Sequence, residues 1–162
     1  MKKIFIYLLS LLSSLFLGII SNDVVTFANS SDFTYEIVNG EAKITSYKGP
    51  GDIIIPDEFD GYLTTTIGYR AFLYNVLPKS VQLPNKLKSI ENEAFIGIVG
   101  NGLADIQIPK SVTKIGDKAI GYSFWGPIGN YEYCKKLKNT IIRGYTGTVA
   151  ESYANENGFK FI

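Results

Sequence analysis

Histidine is absent from this 162-residue chain, and cysteine, tryptophan and methionine occur once each. Without an imidazole the chain lacks the usual general base and nitrogen ligand, and one thiol can build neither a thiolate zinc site nor an internal disulfide. No cofactor or metal is therefore expected. Asp57, Glu58 and Asp60 crowd ahead of Gly61. They lack the alternating acidic spacing and distal Glu of a hand-type calcium loop, so they read as a solvated loop. Gly49-Pro50-Gly51 has neither the helix start nor the Lys of a phosphate cradle and reads as a turn. Paired-carboxylate hydrolysis stays formally open, but no two acids are marked as facing partners, and the chain is read as a non-enzyme.

A long hydrophobic run occurs once, at the start. Lys2 and Lys3 precede the apolar stretch from Ile4 to Ile20, and Thr26-Phe27-Ala28 offers the small residues a signal peptidase reads. Residues 1–28 are thus expected to be a signal peptide cleaved between Ala28 and Asn29, giving a secreted chain of 134 residues. The alternative is an uncleaved membrane anchor through residues 4–20, at the short limit for a spanning helix. Cleavage removes Lys2, Lys3 and Asp23, leaving 14 basic and 14 acidic side chains, a balance that argues against nucleic-acid binding. The charge is uneven along the chain: residues 29–78 hold 3 basic and 7 acidic side chains, residues 79–143 hold 10 and 5.

What the sequence does have is self-similarity. Aligned on Pro56, Pro84 and Pro109, the preceding position holds Ile55, Leu83 and Ile108, and two residues further back stand Ile53, Val81 and Ile106. Three residues after each proline come Phe59, Leu87 and Val112. Then follow Ile67-Gly68-Tyr69-Arg70-Ala71-Phe72, Ile90-Glu91-Asn92-Glu93-Ala94-Phe95 and Ile115-Gly116-Asp117-Lys118-Ala119-Ile120. The prolines are 28 and 25 residues apart, an interval at which solenoid coils recur. Alternation at Asp105-Ile106-Gln107-Ile108 predicts a short strand ended by Pro109, with Gly116 turning the chain. One such coil cannot bury its apolar rows alone and needs neighbours above and below. The first coil is irregular, with 11 residues from Pro56 to Ile67 against 6 in the other two.

The run I-x-I-P-x-x-V-x-x-I-G-x-x-A-F resembles the BspA-like leucine-rich repeats of bacterial and protist surface proteins. The likeness extends over roughly residues 33–162. It implies a mostly β fold with short helices and turns, a solenoid of short parallel strands. The expected domains are a hairpin cap at 29–51, repeats at 52–145 and a C-terminal cap at 146–162. Phe33, Tyr35 and Ile37 alternate ahead of Asn39-Gly40, and Ala42 and Ile44 return, which predicts the hairpin. At the other end Thr148-Val149-Ala150-Glu151 reads as a capping box, Gly158 as a helix stop and Phe159 to Ile162 as a closing strand.

Residues 131–145 resemble half of a further coil, with Leu137 and Ile142 in the places of Leu103 and Ile108 and Thr140 in that of Ile106. Cys134 is expected to be buried packing. Glu91 and Glu93 look like surface charge. Residues 96–102 and 121–130 do not fit the repeat and read as loops that carry contact surface.

The second loop brings Tyr122, Phe124 and Trp125 as candidate ligand contacts, residue types that dominate binding energy, the rival reading being that the aromatics cover the core edge. Outward columns form a second candidate, Ile54, Gln82 and Gln107 beside Asp52, Ser80 and Asp105. A basic face of Lys86, Lys88, Lys110, Lys114 and Lys118 is the third. The resemblance implies adhesion or attachment to host or neighbouring-cell proteins or glycans. A structural surface spacer without a dedicated ligand is the alternative.

Overall fold

The computed structural model describes residues 30–49, 52–73, 80–98, 105–124 and 134–162. The signal segment and its Ala28–Asn29 cleavage lie outside them. A 3-10 turn at Ser30–Asp32 leads into the antiparallel strands β1 (Phe33–Val38) and β2 (Glu41–Tyr47). Asn39 (φ 53°) and Gly40 (φ 77°) both sit in the left-handed region, the geometry of a tight hairpin turn matched to strand twist. This hairpin closes the N-terminal end, because β2 is also the first rung of a parallel ladder.

That ladder continues through β5 (Tyr62–Ile67), β7 (Ser89–Ile90) and β10 (Lys114–Ile115). Its register sets Ile44 beside Ile67, Ile67 beside Ile90 and Ile90 beside Ile115. Ile44, Ile67 and Ile90 are wholly buried. The first strand of each coil forms a second row in two pieces. β3 (Ile53–Ile54) pairs with β6 (Val81–Gln82), while β9 (Asp105–Gln107), β13 (Ile141–Arg143) and β14 (Lys160–Phe161) form a separate sheet. Among the described residues no ladder bond joins β6 to β9. Ile55, Leu83 and Ile108 nevertheless stay in one core, at 3%, 6% and 1% exposure.

Between these rows the chain turns at a corner repeated in every coil. The amides of Ala71, Ala94 and Ala119 donate to the carbonyls of Gly68, Glu91 and Gly116, and the residue before each alanine, Arg70, Glu93 or Lys118, has φ near +50°. The glycine was expected to make this turn, and it does not. Gly116 is small for another reason: a Cβ there would lie 2.3 Å from Asn92 Oδ1 and 2.4 Å from Asn92 N of the coil before. Tyr47, Phe72 and Phe95 then stack inside the corner, with centroids 5.4 and 4.7 Å apart. Each donates its amide to the next coil's alanine carbonyl, Tyr47 to Ala71, Phe72 to Ala94 and Phe95 to Ala119.

Ile120 stands next in that column, and no further coil among the described residues receives its amide. The C-terminal helix α1 (Val149–Asn157) supplies the substitute. Tyr153 Oη accepts the Ile120 N–H at 3.0 Å and donates to the Ile120 carbonyl at 2.7 Å. One phenol thereby takes the amide that the next coil pairs elsewhere in the column, and satisfies the carbonyl of the same residue as well. Gly158 ends α1 in the left-handed conformation (φ 61°), and β14 returns beside β13.

Several local expectations differ from the structure. The extra residues of the first coil are not a loop but a hairpin, β4 (Glu58–Phe59) antiparallel to β5, turned by Asp60 (φ 50°) and Gly61 (φ 82°). Residues 96–102 and 121–130 are not wholly loops either. β8 (Gly97–Ile98) and β11 (Tyr122–Phe124) pair in parallel as a third row, and β12 (Cys134–Lys136) runs antiparallel to β11. Ile142 aligns with Ile106 rather than Ile108. A shift of two residues keeps the same face inward, so the apolar pattern alone could not fix it. The helix start is not a reciprocal capping box: Thr148 Oγ1 donates to the Tyr145 carbonyl, and Glu151 accepts from Gly147 N.

Candidate binding surface

Outward positions follow from the strand register. Ile54 lies beside Gln82, and Asp52 Oδ1 receives the Ser80 amide at 3.1 Å, so the two predicted columns exist across the first two coils. In the third coil Gln107 and Asp105 are matched to Arg143 and Ile141 of the following strand instead. Arg143 forks onto Asp105 at 2.8 and 2.9 Å and holds its carboxyl below the usual carboxylate range.

The five lysines are not all free charges. Lys88 is spent on Glu41, whose carboxyl also accepts from Thr65 at 3.0 Å and titrates lower than usual because of that lysine. Lys118 sits half-buried at a corner and pairs with its neighbour Asp117 at 3.1 Å, which raises its pKa. Lys86, Lys110 and Lys114 are exposed and form no ion pair among the described residues. Lys114 borders a shallow depression with Tyr69, Glu91 and Asn92. Lys110 belongs to a different and larger groove.

The aromatics of the second loop are mostly taken up by packing. Phe124 is 7% exposed, and Tyr122 is half-buried, packed edge-on to Phe159 at 5.7 Å with its hydroxyl donating to Asn157 at 2.7 Å. Trp125 lies outside the described residues. Cys134 stands opposite Phe124 with its thiol half-buried, and burial pushes the thiol pKa up, away from thiolate reactivity.

Glu91 and Glu93 are not loose surface charge. Glu91 accepts the Tyr69 amide at 2.7 Å and pairs with Lys43 at 3.1 Å, while Glu93 pairs with Arg70, both side chains being about 15% exposed. They tie coils together. Asp57 likewise receives the Asn85 amide at 2.8 Å, and Asp60 receives the Tyr35 hydroxyl, so this acidic cluster is engaged in structure.

The groove was not foreseen. Its walls come from the outward face and corner after the first strand in two coils and the strand beyond them, where Gln82, Asn85, Gln107, Lys110, Ser111 and Tyr145 meet. Continuing the β9–β13 register by two places sets Tyr145 beside Pro109. The signal was present as an aromatic in the proline column, hidden by aligning Ile142 with Ile108.

Residues 54–126 match the family described as the BspA type leucine rich repeat region, in six copies. The fold of stacked parallel strands around a shared apolar core is the one that family implies, and such repeats are interaction modules that present extended surfaces. Among solved structures the leucine-rich repeat protein of T. pallidum matches over 85% of this chain and 98% of that one, at 16% identity and a TM-score of 0.39. No curated protein matches the chain. Among the described residues no helix is long and apolar enough to cross a membrane, and no group of three or more Cys, Asp or Glu is placed to hold a metal.

Proposed function

We propose that the protein is a secreted or cell-surface attachment module, without catalytic activity, that binds proteins or glycans of host or neighbouring cells through its repeat surface. The observation that carries this reading is the set of exposed lysines, Lys86, Lys110 and Lys114, that form no ion pair among the described residues, on coils where Glu93 and Asp105 are already held by Arg70 and Arg143. Rigid coils fix the spacing of these charges, and a fixed positive surface attracts acidic partners before contact. The leader-like residues 1–28 support the extracellular placement.

The test is a solid-phase screen of the purified protein against cell-surface and matrix proteins and glycans. Salt-sensitive binding, weakened about tenfold when Lys86, Lys110 and Lys114 are replaced by Ser, is the expected result. Absence of binding across the screen supports the structural-spacer reading instead.

A further inference from the structure

The groove of about 600 Å³ lies where the row of first strands is interrupted between β6 and β9, and it crosses successive coils rather than following one strand. Gln82 and Gln107 line it, both exposed and both with side-chain carboxamides that have no hydrogen-bond partner among the described residues. A carboxamide donates and accepts at once, which matches a hydroxyl, itself donor and acceptor. Tyr145 presents a ring that is 54% exposed, a flat face for an amphipathic ligand. Lys110 is the charged side chain in the lining and forms no ion pair among the described residues. The nearby Asp105 is neutralised by Arg143, and Asp57 is held by Asn85.

We propose that this groove binds a carboxylate-bearing oligosaccharide laid across the coils, Lys110 facing a carboxylate, Gln82 and Gln107 the sugar hydroxyls, and Tyr145 the apolar face of a sugar ring. The inference rests on the binding-module reading and gives it a site. A single ammonium without a guanidinium fork suits a singly charged carboxylate better than a densely sulfated chain. A peptide fits less well. Peptide anchors need open apolar pockets, and the apolar lining residues Val81 and Leu83 are each only 6% exposed. Strand addition needs a long free edge, and β6 is two residues long.

The experiment is calorimetric titration of the purified protein with hyaluronan octasaccharide, its carboxyl-reduced neutral form, and a poly-glutamate peptide of equal charge. Binding of the octasaccharide in preference to both others is expected. Tyr145→Ala and Gln107→Ala should each weaken it by about tenfold. Lys110→Met should erase the preference over the neutral form while leaving the residual affinity for that form. All three positions are surface side chains, and an unchanged melting temperature confirms that each variant is folded. Equal or tighter binding of poly-glutamate, octasaccharide affinity unmoved by the three variants, or no octasaccharide binding at all overturns the proposal. If the groove fails while the surface screen still finds a lysine-dependent partner, only this assignment falls. If both are silent, the module reading falls with it.

Discussion

Tyr153→Phe removes one oxygen and leaves every apolar contact of the ring in place. That oxygen serves both the amide and the carbonyl of Ile120, a residue with no exposed surface, from a side chain itself 5% exposed. Stranding a buried polar group costs about 1–3 kcal/mol. Two are stranded here, and the relief from no longer burying a hydroxyl returns part of that, so the loss should be about 2–3 kcal/mol. With a urea slope of about 2 kcal/mol/M for a domain of this size, the unfolding midpoint should fall by about 1–1.5 M at unchanged slope. A shift worth less than about 0.5 kcal/mol would refute the claim that this hydroxyl stands in for a missing coil.

The same residue has an alkaline signature. Burial raises the Tyr153 phenol well above its ordinary value, so the folded state holds its proton more tightly than the unfolded chain. That contribution is complete below the unfolded value of about 10 and is lost as pH climbs beyond it. Tyr153→Phe should therefore flatten the alkaline limb of the stability curve, read by urea titrations between neutral and strongly alkaline pH. A limb of unchanged steepness contradicts the assignment.

Gly116→Ala drives a methyl to within 2.3–2.8 Å of the backbone and side chain of Glu91 and Asn92 and should cost about 2–3 kcal/mol by urea unfolding. Lys118→Gly relieves a left-handed residue (φ 49°) and should gain up to about 1 kcal/mol. Those opposite signs at neighbouring positions separate close approach from turn strain. Glu93→Gln, which discharges the partner of a largely buried Arg70, should cost about 1–2 kcal/mol and persist in high salt, whereas Glu41→Gln at the more open Lys88 pair should cost less and its effect should fade in high salt. Arg143 depresses the Asp105 pKa, so its contribution is present above the unfolded value near 4 and disappears as pH falls through the lower folded one. Asp105→Asn should flatten the acid limb measured by thermal unfolding between neutral pH and about 2.5.

The inward half of this fold is legible in the sequence because burial restricts residue choice. Ile44, Ile67 and Ile90, or Phe72 and Phe95, are confined to large apolar types by having no exposed surface, and so they recur visibly. Turn chemistry was half legible. Asn39-Gly40 announced its hairpin, while Asp60-Gly61, an equivalent signal, was obscured by the acids around it. The corner residues Arg70, Glu93 and Lys118 share a backbone conformation without sharing a chemistry, and identity of side chain could not reveal them. Register within the last half-coil was beyond pattern, since a displacement of two preserves the inward face.

Outward residues follow a different logic, and it bears on recognition. Ties between coils, Lys43 with Glu91, Arg70 with Glu93, and Glu41 with Lys88, are made between unlike residues one or two coils apart, so they leave no repeated column to read. Each tie also withdraws a charge from the ligand-facing inventory. Lys88 is lost to such a tie and Lys118 to its own neighbour Asp117, so what stays free is set by which acids happen to lie within reach. The groove is the complement of this bookkeeping. It lies at the one place in the first-strand row where, among the described residues, ladder bonds lapse, and there Arg143 has already removed the negative charge of Asp105. A surface whose acids are consumed in holding coils together, and whose amides and one ammonium are left over, is polar without being sticky to protein, and this selects for a hydroxyl-rich, weakly anionic ligand.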